Sequence, residues 1–304
     1  MNRTWMLLAC LLLASHPASA GEQVPPDGAA AESVMTMRVD GDLVVGTEGR
    51  VVDYEITTEL PDELRGILDK AVRGWTFQPM TVAGQPVQAR NRMRVTLAAR
   101  EVGAGYALSV DNVTFQPATK PGVARANAAG PVADDTRDVI ISASHMEPPR
   151  YPRGLMRARV EGAVLVYLRV APDGSVQDAV VVQSSLLNVR GYPKVLEQAR
   201  KQFENSALAA ARRWRFDVDV RPGASVTPAA LTVTVPVWYA MRDSDAHEAS
   251  GKWRVEVRGA RHQVPWLAGA RDAQRIGISD VGPGDLLALD ATLRPPEGVI
   301  GRAL

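Results

Sequence analysis

Cysteine, histidine and aromatic residues are scarce in this sequence, and their scarcity excludes several kinds of chemistry. The 304-residue chain has one cysteine, Cys10, and four histidines. Cys10 lies within the first twenty residues, so the rest of the chain can enter an oxidising compartment without disulfide errors and offers no thiol nucleophile. His145, His247 and His262 are widely separated and form no His-x-x-x-His motif, so the sequence predicts no metal site and no cofactor.

An excess of charge is also missing. Removal of the first twenty residues takes away only Arg3, and 34 basic side chains then balance 34 acidic ones. This balance favours neither nucleic acid nor an anionic membrane as a partner. Ser184 and Ser185 follow an apolar run, but no G-x-S-x-G elbow surrounds them and no acid–base pair is evident. The sequence therefore predicts a binding protein rather than an enzyme.

The first twenty residues resemble an export signal. Arg3 precedes an apolar run over residues 5–14, and Ala18, Ser19 and Ala20 form an A-x-A cleavage site. The run is too short for a membrane span of about 20 residues, so we expect cleavage after Ala20. Two alternatives stay open: the leader remains uncut as an inner-membrane anchor, or residues 7–10 act as a lipoprotein box with Cys10 as the lipidated residue.

The second half of the chain carries the clearest structural pattern. Apolar runs at 163–170 and 176–183 flank Asp173 and Gly174, which predicts a β-hairpin. After Pro193, apolar residues at helical spacing predict a helix that ends near Trp214. Alternation over 231–237 then predicts a third strand with one buried face. Trp75 and Trp214 each end a helical stripe, and we expect both indoles to pack in cores.

The first half repeats this plan in a degenerate form. Strand patterns at 36–45 and 51–57 flank a turn at Gly49, and a helical stripe after Pro61 ends at Trp75. Trp75 precedes Gly84 by nine residues, and Trp214 precedes Gly223 by the same nine. We infer a tandem repeat.

These patterns predict an α+β fold of two tandem small units, each a three-stranded antiparallel sheet with a packed helix, followed by an irregular C-terminal extension. The expected divisions are a leader over 1–20, a first unit over 33–115, a Pro- and Ala-rich linker over 116–138, a second unit over 139–240 and the extension over 241–304. Trp253, Val255 and Val257 alternate like a strand within the extension. Among Trp238, Tyr239, Trp253 and Trp266 we expect at least one exposed contact residue.

A set of short motifs in the second unit resembles, in order, the C-terminal domain family of TonB, the energy transducer of Gram-negative outer-membrane transport. The residues that carry the resemblance are Tyr151 and Pro152; Val160, Glu161 and Gly162; Asp173 and Gly174; Ser184 and Ser185; Ala207, Leu208, Ala210 and Ala211; Trp214, Arg215 and Phe216; and Val235–Tyr239. They span about 90 residues, and it is their order rather than any single motif that is specific.

The resemblance implies a periplasmic protein whose third strand has an open edge. In the family, a short segment of a TonB-dependent outer-membrane transporter adds to this edge as an extra strand, through main-chain hydrogen bonds. The implied partner-binding residues are Arg150, Tyr151 and Pro152 near the transporter, and Leu231, Thr232, Val233, Thr234 and Val235 on the edge.

The chain also departs from that family. Its leader has the features of a cleavable signal, and its linker is short, whereas the family has a membrane anchor and a long spacer across the periplasm. Pro236 removes a backbone donor from the third strand. The alternative function is a structural module of the cell envelope, with a possible homo-oligomer and no transport partner.

Overall fold

The computed structural model describes residues 31–82, 84–117, 138–224, 226–244, 250–268, 275–288 and 293–304. The predicted leader and nearly all of the predicted linker lie outside these residues. The described part is a mixed α+β fold whose named strands pair antiparallel, in agreement with the predicted class. No helix in these ranges is long and apolar enough to cross a bilayer.

The first half consists of a helix and a four-stranded part of a sheet. Its elements are β1 (Glu32–Val45), β2 (Val51–Ile56), α1 (Asp62–Arg73), β3 (Thr81–Val82), β4 (Gln85–Pro86), β5 (Ala89–Val102) and β6 (Gly105–Pro117). β1 lies between β2 and β5, and β6 pairs with the far side of β5. A hairpin, a helix and a strand after it are present, but the half has a fourth strand, β6, so the predicted three-stranded unit is not confirmed.

The second half has the predicted hairpin, helix and third strand. Its elements are β7 (Val139–His145), α2 (Arg153–Arg157), β8 (Glu161–Val170), β9 (Val176–Leu187), α3 (Pro193–Ala211), β10 (Arg215–Val220) and β11 (Thr232–Tyr239). β8 lies between β9 and β11, while β10 and β7 form a separate two-stranded ribbon. Trp214 is 2% exposed and Trp75 is 4% exposed, which confirms the core role predicted for both indoles.

The C-terminal extension joins the two halves into one sheet. It contributes β12 (Arg254–Arg258), two 3-10 turns at Pro265–Leu267 and Ile278–Asp280, and β13 (Leu287–Ala288). β12 pairs with β9 on one side and with β1 on the other. The resulting order is β13-β11-β8-β9-β12-β1-β5-β6, with β2 also on β1, a sheet of nine strands among the described residues. The strand predicted near Trp253 is therefore present, and it lies between the two halves.

The extension also covers the face of the second half that α3 leaves open. One apolar core lies between α3 and the sheet and includes Phe203, Trp214 and Val235. A second lies on the opposite face, where Leu267, Ile278, Val281 and Leu287 of the extension pack with Leu165, Tyr167 and Val182 of the sheet. Burial on both faces explains why β8 reads as a nearly continuous apolar run rather than an alternating one.

On one face of the first half, the extension meets the sheet through charges and hydrogen bonds. Arg94 of β5 pairs with Asp40 of β1 at 2.6 Å and with Asp285 of the extension at 2.5 Å. The carboxylate of Asp280, which is 2% exposed, accepts hydrogen bonds from Thr96 and Asn112, both at 2.5 Å. The apolar core of this half, under α1, lies on the other face.

Each half joins its Trp-x-Phe segment to its hairpin turn through the same backbone hydrogen bond. In the second half, Gly174 has φ of 79° and its carbonyl accepts a hydrogen bond from the amide of Phe216 at 2.9 Å. In the first half, Gly49 has φ of 78° and its carbonyl accepts from the amide of Phe77 at 2.8 Å. The turn glycine is needed because a positive φ and a close backbone neighbour coincide there.

We expect Gly174→Ala to destabilise the fold far more than Gly223→Ala. A Cβ at Gly174 would lie 1.9 Å from the carbonyl oxygen of Phe216, whereas a Cβ at Gly223 would meet nothing within 4 Å, although φ is near 80° at both. The expected loss of unfolding free energy is about 1 kcal/mol for Gly223→Ala, from the left-handed backbone alone, and at least about 3 kcal/mol for Gly174→Ala. Urea unfolding of both variants measures the difference, and equal losses would contradict the role of the close approach.

Candidate functional site

The strand predicted to bind a partner is β11, and its side chains divide between two buried faces. Val233, Val235 and Tyr239 point into the core under α3. Trp238 packs on the opposite side, against the core formed with the extension. With both faces buried, only the backbone edge of β11 could receive a partner strand.

The hydrogen bonds to β8 determine which β11 residues face that edge. The amide of Val170 donates to the carbonyl of Leu231 at 2.9 Å, so the backbone of Leu231 faces β8. Because backbone direction alternates along an antiparallel strand, Val233 also faces β8, while Thr234, Pro236 and Trp238 turn their backbone groups outward. These three residues form what we call the outer edge of β11.

The outer edge of β11 is already contacted by β13. Thr234 pairs with Leu287, and Val233 is opposite Ala288. Leu287 is 5% exposed and belongs to the apolar core on that face of the sheet. The expectation of a wholly open edge over 231–237 is therefore not met at these two positions, because the extension returns to the sheet at this point. In the part of the chain that the structure describes, β13 comprises Leu287–Ala288, so these two residues are the described cover of the edge.

Pro236 lies at an outward position, as the strand geometry requires. It is opposite Leu165 of β8, yet its missing N–H would have pointed away from β8, so the ladder between the two strands is intact. On the outer edge it presents a carbonyl acceptor and no donor. A visiting strand beyond β13 would thus find one donor fewer, in agreement with the sequence-based expectation.

Thr232 is held by contacts from the chain itself. Its hydroxyl donates to the carbonyl of Pro228 at 2.6 Å and accepts from the indole Nε1 of Trp266 at 3.0 Å. The side chain of Thr232 is fully buried. Leu231 and Thr232 therefore begin the strand underneath the extension, and Trp266 is a contact residue within the chain.

The Tyr-Pro segment lies at the opposite end of β11. The ring of Tyr151 packs edge-on against Tyr239, with centroids 5.5 Å apart, and against Phe203, at 5.6 Å. Its hydroxyl donates to the carbonyl of Val160 at 2.7 Å. Pro152 precedes α2 and is half-buried, whereas Arg150 is exposed. Tyr151 thus anchors the segment, and Arg150 is its accessible side chain.

The two tyrosines of this cluster do not titrate near neutral pH. Burial, with a smaller contribution from the charge of Glu161, raises the pKa of Tyr151 to about 12. Burial likewise raises the pKa of Tyr239 to about 12, and its hydroxyl donates to the carbonyl of Phe203 at 3.0 Å. Both hydroxyl groups therefore act as neutral hydrogen-bond donors that fix the ring cluster.

The predicted partner-binding residues consequently form two groups rather than one. Tyr151 connects Arg150 and Pro152 to the C-terminal end of β11, while Leu231, Thr232 and Val233 lie at its N-terminal end. At about 3.4 Å per residue, the seven steps from Thr232 to Tyr239 separate these groups by about 24 Å. A single extended segment of about eight residues could reach both.

The sequence patterns did not predict that residues of the extension surround β11. Trp238 lies under the guanidinium of Arg254, whose Cζ is 5.0 Å from the ring centroid. Trp253 is the most exposed of the four aromatic residues considered for contact, at 37%. Within the described ranges, no group of three or more His, Cys, Asp or Glu side chains could hold a metal ion.

Comparison with known proteins supports the resemblance carried by these residues. Residues 147–187, which include the Tyr-Pro segment and the hairpin β8–β9, match the family model described as the Gram-negative bacterial TonB protein C-terminal. The chain is 32% identical over 109 residues to Protein TonB of Xanthomonas campestris pv. campestris strain B100, and equally so to that of strain ATCC 33913.

These matches have a limited extent. Each alignment with a TonB protein covers 36% of this chain and 42% of that protein, so the chain spans less than half the length of these relatives. No solved structure matches. The family match and the identity to TonB together support a relationship of this chain with the TonB C-terminal family.

Proposed function

We propose that this chain is a TonB-related protein of the cell envelope that binds an extended segment of a partner protein by strand addition at the outer edge of β11. The partner we propose is a TonB-dependent outer-membrane transporter, and the compartment is the periplasm, reached through a cleavable signal peptide. The observation that carries the proposal is the position of β11: it is the last strand of the second half's own sheet, and among the described residues only Leu287–Ala288 pair with its outer side.

Two further features support strand addition at this edge. The Tyr-Pro segment, which matches the family model, is anchored on Tyr239 at the end of the same strand. The outward carbonyl of Pro236 and both backbone groups of Trp238 lie next to the part of the edge that β13 covers, and a visiting strand that displaces β13 would pair with these groups and with Thr234. Main-chain hydrogen bonds supply most of the affinity in such complexes.

We also propose that the two halves are a degenerate tandem repeat. In support, each half has a hairpin, a helix and a third strand on the same side of the hairpin, and each ties its turn glycine to a Trp-x-Phe segment. In the first half, however, β6 pairs along nearly the whole length of β5, the strand that corresponds to β11. Only the second half is therefore proposed to bind at its third strand.

The alternative function, a structural module of the envelope, is favoured by one specific observation. The extension contacts both ends of the nine-stranded sheet: β13 lies on β11, and near the C-terminus Gly301 and Arg302 exchange hydrogen bonds with Val110 of β6 at 2.8 and 3.0 Å. A protein built only for assembly would keep both edges closed. Under this alternative, no transporter segment would bind.

The two functions are separated by titration of the chain from residue 21 onward with a synthetic peptide of the transporter signal segment. Strand addition predicts shifts of the Thr234 and Trp238 amides in an NMR spectrum, because a visiting strand displaces β13 at Thr234 and pairs with Trp238 next to it. Val233→Pro is unsuitable as a test because the Val233 amide faces β8 and its side chain is buried. The alternative function predicts that neither amide moves, and that result would contradict strand addition here.

A further inference from the structure

The outer edge of β2 in the first half is a strand edge that no described strand covers. β2 pairs only with β1 in the part of the chain that the structure describes. The amide of Thr57 donates to the carbonyl of Asp40 at 3.0 Å, which fixes the backbone of Thr57 toward β1. By alternation, Tyr54 and Ile56 turn their backbone groups outward. The carbonyl of Ile56 already accepts a hydrogen bond from Nη1 of Arg65 at 3.4 Å. We therefore consider Tyr54, at the middle of the edge, as the residue with which a partner strand would pair.

In the second half, the strand that corresponds to β2 is paired with another strand at its outer edge. β9 is the outer strand of its hairpin as β2 is of the first, and β12 pairs with its outer edge through Ser185, Leu186 and Leu187. This addition comes from a distant part of the chain, about 70 residues away in sequence. Within this one molecule, the outer strand of a hairpin of this type thus accepts an extended segment.

Side chains at the β2 edge form an ordered surface. The Tyr54 hydroxyl donates to Oδ1 of Asp69 at 3.1 Å, and the guanidinium carbon of Arg73 lies 5.0 Å from the ring centroid. Both partners belong to α1, so the ring is held against the helix. Val52 is 56% exposed beside it, and a shallow depression is lined by Val51, Val52, Asp53, Tyr54 and Arg73. A rigid aromatic ring next to an exposed valine is suited to an apolar side chain.

The acidic residues on the opposite face of β2 determine which kind of strand can bind at its outer edge. Asp53 is exposed, and it shares its face of the strand with Glu55, which is also exposed. A second copy of the chain, paired antiparallel through β2 with like faces together, would place acidic residues opposite acidic residues, and like charges directly opposite are destabilising. A strand with a basic residue opposite Asp53 is instead stabilised by the attraction between opposite charges.

We propose that the outer edge of β2 is a second strand-addition site, which takes an extended peptide whose residues alternate between basic and apolar. The peptide pairs with the backbone of Tyr54, places apolar side chains on Val52 and the Tyr54 ring, and places a cation opposite Asp53. This site is independent of the outer edge of β11, since it lies on the other half and uses the hairpin strand rather than the third strand.

The test uses the chain from residue 21 onward and two capped octapeptides, one of four Lys-Val repeats and one of four Glu-Val repeats. We expect the Lys-Val peptide to shift the Tyr54 amide in the NMR spectrum and to bind about fivefold more tightly than the Glu-Val peptide. Asp53→Lys should reverse this preference. Asp217→Lys, an equivalent charge reversal on the exposed strand β10, should leave it unchanged, and thermal unfolding confirms that both variants are folded.

Three results would overturn the proposal. The first is a Tyr54 amide that neither peptide moves, and the second is an Asp53→Lys variant with the parent preference. The third is broadening of the Tyr54 amide with protein concentration in the absence of peptide, which would assign the edge to a second copy. Shifts confined to Thr234 and Trp238 would count as the first result, and they would support binding at β11 instead.

Discussion

A disulfide between Thr234→Cys and Leu287→Cys is expected to abolish peptide binding at β11, and its reduction is expected to restore binding. Thr234 and Leu287 are opposite each other where β13 covers the outer edge. Hydrogen-bonded antiparallel pairs have Cα atoms about 5.5 Å apart, within the range of a disulfide. The sole natural cysteine, Cys10, is absent from a chain that begins at residue 21, so no other thiol competes.

The physical reason is competition for one set of backbone groups. A visiting strand that pairs with Thr234 must first displace β13 and expose Leu287, which is 5% exposed in the folded chain. Exposing a buried leucine costs about 1.5–3 kcal/mol, which lowers the population that is ready to bind and weakens the apparent affinity by about 10- to 100-fold. A disulfide makes that population negligible. The extension would then set the affinity of the site as well as its shape.

Fluorescence polarisation of a labelled transporter signal peptide, measured before and after a reductant is added, reports the effect within one sample. Ser142→Cys paired with Asp217→Cys is the matched control, because these residues are opposite each other on the exposed β7–β10 ribbon, away from β11. Its oxidised form should bind like the parent. If the peptide binds the oxidised Thr234–Leu287 variant with parent affinity, the site is not the outer edge of β11.

How far the fold could be predicted from sequence depended on how local its signals were. The Asp173-Gly174 turn between β-branched runs and the helical stripe that ends at Trp214 both act over a few residues, and both were located correctly. β6 was missed because the first half was interpreted through a three-stranded repeat. The Gly103-Ala104 turn that joins β5 to β6 is a local hairpin signal, but a three-stranded unit leaves no place for the strand that follows it.

The extension shows why the site itself could be predicted only in part. Alternation around Val255 and Val257 identified β12 as a strand, but nothing near it in sequence specifies that it pairs with both β9 and β1. β13, which comprises Leu287–Ala288 among the described residues, is positioned by the burial of Leu287 in a core built from distant strands. Pairing across such separations depends on the whole chain, so the third strand was predicted while its cover was not.

The strand that joins the halves depends on a buried charge, and Glu256→Ala is expected to destabilise the protein strongly. Glu256 of β12 is fully buried, and its carboxylate accepts hydrogen bonds from Thr36 of β1 at 2.8 Å and from Ser279 of the extension at 2.5 Å. Arg254, whose side chain is 5% exposed, donates to it at 2.6 Å. Without the carboxylate this arginine stays buried without its counter-ion, which costs about 3–5 kcal/mol.

The pH dependence of this loss follows from the direction of the pKa shift. Burial alone would raise the pKa of Glu256, but the charges of Arg254 and Arg258 and the two hydroxyl donors outweigh it and lower the pKa below its ordinary value of 4.5. A carboxyl group with a depressed pKa in the folded state contributes stability above the ordinary value and loses it as the pH falls through the folded value. The gap between the parent and Glu256→Gln should therefore be widest near neutral pH and should narrow in acid below about pH 4.5.

Urea unfolding at pH 7 and at pH 4 measures both effects. Glu197→Ala is the control, since it removes an exposed carboxylate that pairs with Lys201 four residues on, and its cost should stay below about 1 kcal/mol. A loss under 1 kcal/mol for Glu256→Ala would mean that Arg254 finds other partners and that the apolar contacts of β12 hold the halves together. A large loss that narrows in acid would instead identify the charge on Glu256 as the group that keeps the extension, and with it β13, in place.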